Sequence, residues 1–535
     1  MSRLIFCGRD ARGTVIMDRT LWIAVLVALL ITSIPSAAGV LFPPSGGSWT
    51  GILTRNTADV NGYLSMIEEA RQGHWRMHNL FTAEPHPAFQ IRPLWLLLGL
   101  TGRLLPLVSN VYLMEIARVL TSFCLLLLIA TFAARLFVSQ RERLIAFLMM
   151  TFGSGLGWAH LVKDPPDLRI VETSTFLTLV SPPLYTLSLS LVLLILLLVE
   201  RVWNGERKLF YGFLSGLCGL WLGFDRPFSL APLGFAIVVF LLIEIVFHRE
   251  TNFKKWFGLM PLAAGSFGAV AYQFISLRSI PVYEEWNRQH VLPTPEWPRL
   301  ISSLGVLLPF AVLGARYFFS KNRSLATLSL SFIAGSWFFS HLPLGFQERF
   351  LEGLPVLLAL LASFGLLRLL DFFSRPVFQT LIATIVLAVA SLSHFTPLQN
   401  DLAAIARQLP PQYMPEKFLS PMRSFKELAA PNEAILSTEA SGNFLVAYSG
   451  RPVVIGHRVA TARYYEKSKF VLEFFSTSSG NPLSQRLFEK TKANWLFWGP
   501  EESWLSRGRF DPGKAPYLEK KYDNGFVQLF TLKYK

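Results

Sequence analysis

The sequence predicts a polytopic α-helical membrane protein with a small α/β domain at its C-terminal end. Three observations carry this reading. Of 535 residues, 52% are hydrophobic and 16% charged, whereas a soluble chain carries about a quarter charged residues. Apolar runs long enough to cross a hydrocarbon core of about 30 Å recur along the first three-quarters of the chain. Basic clusters fall at every second gap between those runs, the positive-inside pattern of membrane proteins. Nothing alternates in polarity as the strands of a lipid-facing barrel do.

About eleven spans are expected between residues 21 and 399. They lie near 21–42, 111–134, 144–162, 180–199, 209–224, 228–247, 257–277, 300–319, 325–345, 353–371 and 377–395. The tail 1–20 carries Arg3, Arg9, Arg12 and Arg19. Later clusters are Arg135/Arg141/Arg143, Arg201/Arg207/Lys208, Arg249/Lys254/Lys255, Arg316/Lys321/Arg323 and Arg368/Arg375. They place the N-terminus in the cytoplasm of a multi-pass plasma (inner) membrane protein. An odd number of spans then puts residues 400–535 outside the cytoplasm. The same clusters account for the net charge of +15. No nucleic-acid partner is expected, because no basic stripe with interleaved aromatics stands apart from the membrane ends.

The first span lacks a convincing cleavage site and reads as an uncleaved signal-anchor. Met17 is an alternative start to Met1. Cys7, Cys124 and Cys218 fall in the tail and in spans, so no structural disulfide is expected. Segment 93–108 is apolar but short and broken by Gly99 and Gly102, which suits an interfacial or re-entrant helix. The fifth span is short and carries Gly212, Gly216, Gly219 and Gly223, which suits close helix packing.

The polar material gathers on the outside. It comprises a long first loop (43–110), a second loop (163–180), the turn at Asp225-Arg226-Pro227, a loop at 278–299 and a turn at 345–353. Beyond residue 400, strand-like runs at 434–437, 452–455, 494–498 and 526–530 alternate with helix-like stretches near 421–430, 462–475 and 482–491. That alternation reads as a small α/β domain. It has no phosphate-binding glycine motif, so no nucleotide site is expected there.

Asp59 opens the first loop and is followed by Tyr63, Glu68, Glu69, His74, Trp75, His78, Glu84 and His86. A carboxylate at the membrane surface in such a loop can act on a substrate arriving from the lipid. The layout resembles the GT-C superfamily of integral-membrane glycosyltransferases, which includes the protein O-mannosyltransferases and the transferases that attach sugars to lipid A. The resemblance rests on one long outside loop opening with an acid, about eleven spans, and an extracytoplasmic C-terminal domain. The O-mannosyltransferases carry an Asp-Glu pair at this place. Here Val60 follows Asp59, which leaves the branch and the acceptor open.

The resemblance implies a hexosyltransferase-type enzyme. It would move a sugar from a polyprenyl-phosphate donor to a hydroxyl of a lipid, glycan or protein acceptor at the outer face. Asp59 is then the candidate general base; equally, it could cap a helix beginning near Val60. Arg349 is a candidate for the donor phosphate, or else an ion-pair partner of Glu348 or Glu352. Arg226 has the same two readings. Tyr63, His86 and Glu352 complete the candidate substrate-binding set. Asp164 and Asp167, followed by Glu172, could hold Mg²⁺ or Mn²⁺; a stiff proline-rich turn explains them as well. The histidines have neither the cysteines nor the spacing of a zinc site. Glu244 lies near an inner span end within reach of Arg249, and His341 near an outer one.

The alternatives are a transporter or flippase of lipid-linked sugars, or a non-catalytic envelope assembly protein. Transporters show paired halves and broken helices at the midplane. Polar loops gathered on one face favour an enzyme.

Overall fold

The computed structural model describes residues 17–54, 57–250 and 253–533. Arg3, Arg9, Arg12, Cys7 and the choice of start lie outside them. The chain divides into two compact units. One comprises Met1–Ala37, Glu115–Tyr272 and Val291–Ala403; the other comprises Ala38–Met114, Gln273–His290 and Ala404–Lys535.

The first unit is helical. Among the described residues, seven helices are long and apolar enough to cross a membrane: Arg19–Leu41, Asn110–Leu136, Pro183–Trp203, Pro227–Val246, Lys255–Ser279, Gln347–Leu370 and Pro376–Ala406. The pair Trp297–Leu304 and Leu307–Lys321, bent by 66°, makes an eighth if taken as one span. The remaining expected positions hold the helices Gln140–Phe152, Lys208–Asp225 and Arg323–Ser340. Gln140–Phe152 has only 13 residues, about 20 Å of helix. It stops where Gly153, Gly155 and Gly157 interrupt the apolar run.

Burial separates the central helices from the peripheral ones. The most apolar stretch of Gln347–Leu370 is 94% buried, and that of Pro183–Trp203 is 89% buried. A helix apolar all round belongs in the interior. Pro376–Ala406, at 17%, presents Val377, Leu381 and Ile385 outward, a surface suited to lipid.

The basic segments of this unit meet at one end of the bundle. Arg143 pairs with Asp18 (3.3 Å) and Arg135 with Glu200 (2.9 Å). Asn322 donates to Glu200 (2.7 Å) and Arg141 to Gln379 (2.6 Å). Lys255 lies over the Trp203 ring. Glu244 is neutralised by Arg323 at 3.5 Å, rather than by the expected Arg249. At the other end His341 stacks among Trp297 and Trp337.

The glycines of Lys208–Asp225 form a packing seam. A Cβ on Gly212 would lie 2.1 Å from the Gly258 carbonyl oxygen, and one on Gly216 2.7 Å from that of Pro261. Gly219 and Gly223 similarly abut Ser266 and Ala269. Small residues allow this backbone approach, which replaces the hydrophobic drive that is absent in lipid.

The second unit combines the first loop with the C-terminal residues. Its four-stranded sheet runs in the order Ile435–Leu436, Trp495–Trp498, Gln528–Leu532, Leu518–Asp523. The first pair is parallel and the others antiparallel. The core beneath it holds Phe474, Phe475, Phe488, Leu496, Phe510 and Phe530. The expected strand at 452–455 is reduced to a bridge between Val453 and Ile435. From the first loop, Gly47–Trp49 pairs antiparallel with Tyr413–Pro415. The helix Thr57–Arg71 joins the helix Glu439–Ser449 through Asn61 and Asn443 (2.8 Å). Pro93–Leu104 buries Leu94, Trp95 and Leu98 and exposes Leu97, Leu100 and Leu104. That one-sided pattern suits a membrane interface.

Gly216→Leu is expected to destabilise the helical unit by about 1–3 kcal/mol, the usual cost of overpacking. Gly234 has open space around its Cβ direction, so Gly234→Leu should leave stability unchanged. Thermal midpoints of the two variants in detergent test this; equal shifts would discard the packing account.

Candidate active site

Asp59 belongs to the second unit. Its helix begins at Thr57, so Asp59 lies in the first turn rather than capping a helix that starts near Val60. A carboxylate there faces the positive end of the helix dipole. Asp59 Oδ1 accepts from His457 Nε2 at 3.1 Å. Its side chain keeps 34% of its surface exposed, whereas His457 keeps 14%.

The hydrogen bonds around His457 determine its tautomer. Its Nδ1 accepts from the backbone N–H groups of Val459 (3.1 Å) and Ala460 (3.2 Å). The proton of the neutral ring therefore sits on Nε2, aimed at Asp59. The turn that makes this possible is pinned from several sides. Thr461 Oγ1 accepts from the N–H groups of Gly456 and His457. Asn79 donates to the Ala460 carbonyl (2.7 Å), Asn443 to that of Gly456 (2.9 Å) and Gln289 to that of Thr461 (3.0 Å). Phe81 packs against the imidazole.

A second group in the same unit involves the loop histidines. Glu69, buried, accepts from His78 Nδ1 (2.8 Å) and from the His78 N–H. Burial pushes the Glu69 carboxyl up, against the opposing pull of His78. The bond to Glu69 raises the His78 imidazole, against its own burial. His86 donates from Nδ1 to the Glu84 carbonyl (2.8 Å) and accepts at Nε2 from the Asn79 N–H (3.0 Å). Both of its ring nitrogens thus serve the loop backbone, and burial lowers its pKa. Its faces meet His78 and Tyr283. Tyr63 stacks on Trp95 at 4.7 Å between ring centroids.

The loop is anchored through Glu84, which takes Lys467 and, at 2.8 Å, Arg463. Burial opposes its ionisation, but Lys467 and Arg463 outweigh it and hold the carboxyl at about 2.

The remaining candidates lie in the first unit. Glu172 Oε1 accepts from Arg349 (2.6 Å) and Arg226 (3.0 Å). Arg226 also reaches Glu352 at 3.5 Å and lies over the Tyr185 ring. Arg349 donates to the Tyr185 hydroxyl (3.3 Å). Glu352 accepts from Ser188 (3.0 Å) and Ser229. Glu172, Arg226 and Glu352 are each buried. Against the cost of burial, Arg349 and Arg226 hold the Glu172 carboxyl below its usual range. The sequence pointed to Glu348 or Glu352 as the partner of Arg349; the structure supplies Glu172, 177 residues away.

Asp164 and Asp167 engage separate partners. Asp164 adopts a left-handed φ of +51° and pairs with Arg169 in solvent. Asp167 is buried, accepts from Ser154 (3.1 Å) and the Gly157 N–H (3.2 Å), and is pushed up by burial. Among the described residues, no three His, Cys, Asp or Glu side chains gather as a metal-ligand set. The pair does not fit a resident divalent cation.

No family model and no curated protein matches the chain. Solved structures do. The arabinofuranosyltransferase AftD from mycobacteria aligns over 97% of this chain and 42% of its own, with a TM-score of 0.56 and 14% identity. ArnT from Cupriavidus metallidurans, bound to undecaprenyl phosphate, aligns over 96% of this chain and 98% of its own, with a TM-score of 0.51 and 12% identity. The chain shares its fold with these two solved proteins. At these identities the likeness concerns the fold.

The Glu84 cluster has a pH signature. A carboxyl held at about 2 against an ordinary 4.5 contributes stability above pH 4.5 that is lost as pH falls from there toward 2. The parent protein should therefore lose thermal stability more steeply between pH 5 and 3 than Glu84→Gln. Parallel slopes in the two proteins would contradict the ion pairing.

Proposed function

We propose that this protein is a membrane glycosyltransferase that moves a sugar from a polyprenyl-phosphate donor to a hydroxyl of a lipid, glycan or protein acceptor. The reading places the N-terminus in the cytoplasm and residues 400–535 on the outer side. The observation that carries it is the Asp59–His457 contact: an accessible carboxylate, held in place by an imidazole whose tautomer is locked. The GT-C fold and the undecaprenyl phosphate bound to ArnT support the donor class.

In the proposed reaction the acceptor oxygen forms a bond to the anomeric carbon while the bond from that carbon to the phosphate oxygen breaks. The acceptor proton passes to Asp59, the general base. His457 is a positioning residue. It donates from Nε2 to Asp59 while its Nδ1 accepts from two backbone amides, which fixes the ring's orientation. The leaving electron pair goes to the polyprenyl phosphate. Arginine suits that anion because its planar fork binds phosphate in a bidentate manner. Arg349 is the candidate, with Arg226 behind it. Glu172 balances both guanidiniums, so an arriving phosphate competes with Glu172 for them. Tyr63, His86 and Glu352 complete the candidate substrate-binding set, His86 with both ring nitrogens engaged by its own loop.

Asp59→Asn is expected to lower turnover by about 10²-fold or more, the scale of lost general-base catalysis. Its fold should hold, because the Asn carbonyl can still accept from His457. His457→Ala should lower turnover by about tenfold, as oriented partners of catalytic groups do. Gln at 457 retains an N–H donor and should restore part of the loss. Transfer of labelled sugar from undecaprenyl phosphate to endogenous acceptors is the assay, and full activity of Asp59→Asn would remove Asp59 as the base.

Arg349→Lys should weaken donor binding partially and Arg349→Ala severely, because lysine keeps the charge and loses the fork. Donor titrations decide it. Equal apparent affinities for Lys, Ala and the parent would take Arg349 out of the phosphate site.

A further inference from the structure

The end of the helical unit where its basic segments meet contains a cavity of about 410 Å³. It lies away from the Glu172 cluster and plays no part in the proposed reaction. Arg141, Lys321 and Arg368 line it, together with Glu142 and Asp371. The acids are already engaged. Glu142 accepts from the N–H groups of Val138 (3.0 Å) and Ser139 (3.2 Å), closing the start of its own helix. Asp371 takes Arg368 at 2.8 Å. The cations are less fully satisfied. Arg141 has a neutral partner, Gln379, and the Arg368 guanidinium lies over Tyr317 at 4.2 Å. Lys321 is exposed and forms no ion pair among the described residues.

The walls below these charges are apolar, with Phe137, Phe364 and Leu370 facing the cavity. Beside it Phe372, Val377 and Phe378 are exposed on the protein surface. A cationic pocket at a helix end, set above an outward apolar strip, is complementary to an amphiphile with an anionic head and acyl chains. Basic pockets between membrane helices recognise such headgroups, and arginine is the preferred partner of phosphate.

We infer that this cavity binds the headgroup of an anionic phospholipid, its phosphodiester held by Arg141, Lys321 and Arg368 and its acyl chains lying along the Pro376–Ala406 helix. The zwitterionic phosphatidylcholine headgroup carries its own cation, so the pocket discriminates against it.

The test uses the full-length protein purified in detergent, with bound lipid counted by native mass spectrometry and stability followed by thermal unfolding. Phosphatidylglycerol should bind and raise the unfolding midpoint; phosphatidylcholine and millimolar inorganic phosphate should do neither. Lys321→Glu should weaken phosphatidylglycerol binding about tenfold, and its lipid-free unfolding midpoint should match that of the parent. Arg375, exposed nearby but outside the cavity, provides a charge-matched control, and Arg375→Glu should leave binding intact. Equal losses in the two variants would mean diffuse surface attraction and overturn the site. Protection by phosphate alone would overturn the lipid assignment, as would equal binding of phosphatidylcholine.

Discussion

Glu172 sits between two guanidiniums in a buried place, and the polar end of the helical unit is organised around it. Arg226 joins two helices at a turn, Arg349 comes from the segment before the Leu354–Leu370 helix, and Glu172 comes from the second loop. One carboxylate therefore ties together three stretches of chain far apart in sequence. Such a network adds little net stability over a well-packed apolar core, yet removing one member costs about 3–5 kcal/mol because a buried charge is left alone. Glu352, with its two serine donors, completes the balance. The arrangement holds two cations at a membrane end without an excess of exposed charge.

The second unit treats its central acid differently. Asp59 is about one-third exposed and accepts from the Nε2 of His457 at 3.1 Å. The lock lies one step further out, in two backbone amides that occupy the other ring nitrogen. Glu69, by contrast, is buried and raised, with a titratable imidazole beside it. Two carboxylates on one helix, ten residues apart in numbering, thus have opposite environments.

Much of the layout was legible in the sequence because bilayers impose a length and a hydropathy on each crossing. The basic segments that read as one side of the membrane do meet at one end of the bundle. The expected eleven spans correspond to seven helices long and apolar enough to cross among the described residues, or eight with the bent pair. Glycines at 153, 155 and 157 cut one helix short, and a bend divides another. Asp59 stood out by its place after the first span, and its partner did not: His457 is 398 residues away in a stretch without periodicity. Glu172 reads in the sequence as an acid in a loop, and folding brings Arg226 and Arg349 to it. The strand Leu518–Asp523 has no strand signal in its sequence, because Leu-Glu-Lys-Lys-Tyr-Asp is charged and mostly exposed, as suits a sheet edge. The helix Glu439–Ser449 was hidden by Ser441, Gly442 and Asn443, poor helix formers in isolation.

The glycine seam between the Lys208–Asp225 helix and its neighbour has a mechanical consequence. Dispersion attraction fades over a fraction of an ångström, and at Gly212 and Gly216 the backbone meets the Gly258 and Pro261 carbonyls directly. A contact of that kind is brittle. Any motion of the helical unit must carry these two helices as a single strut.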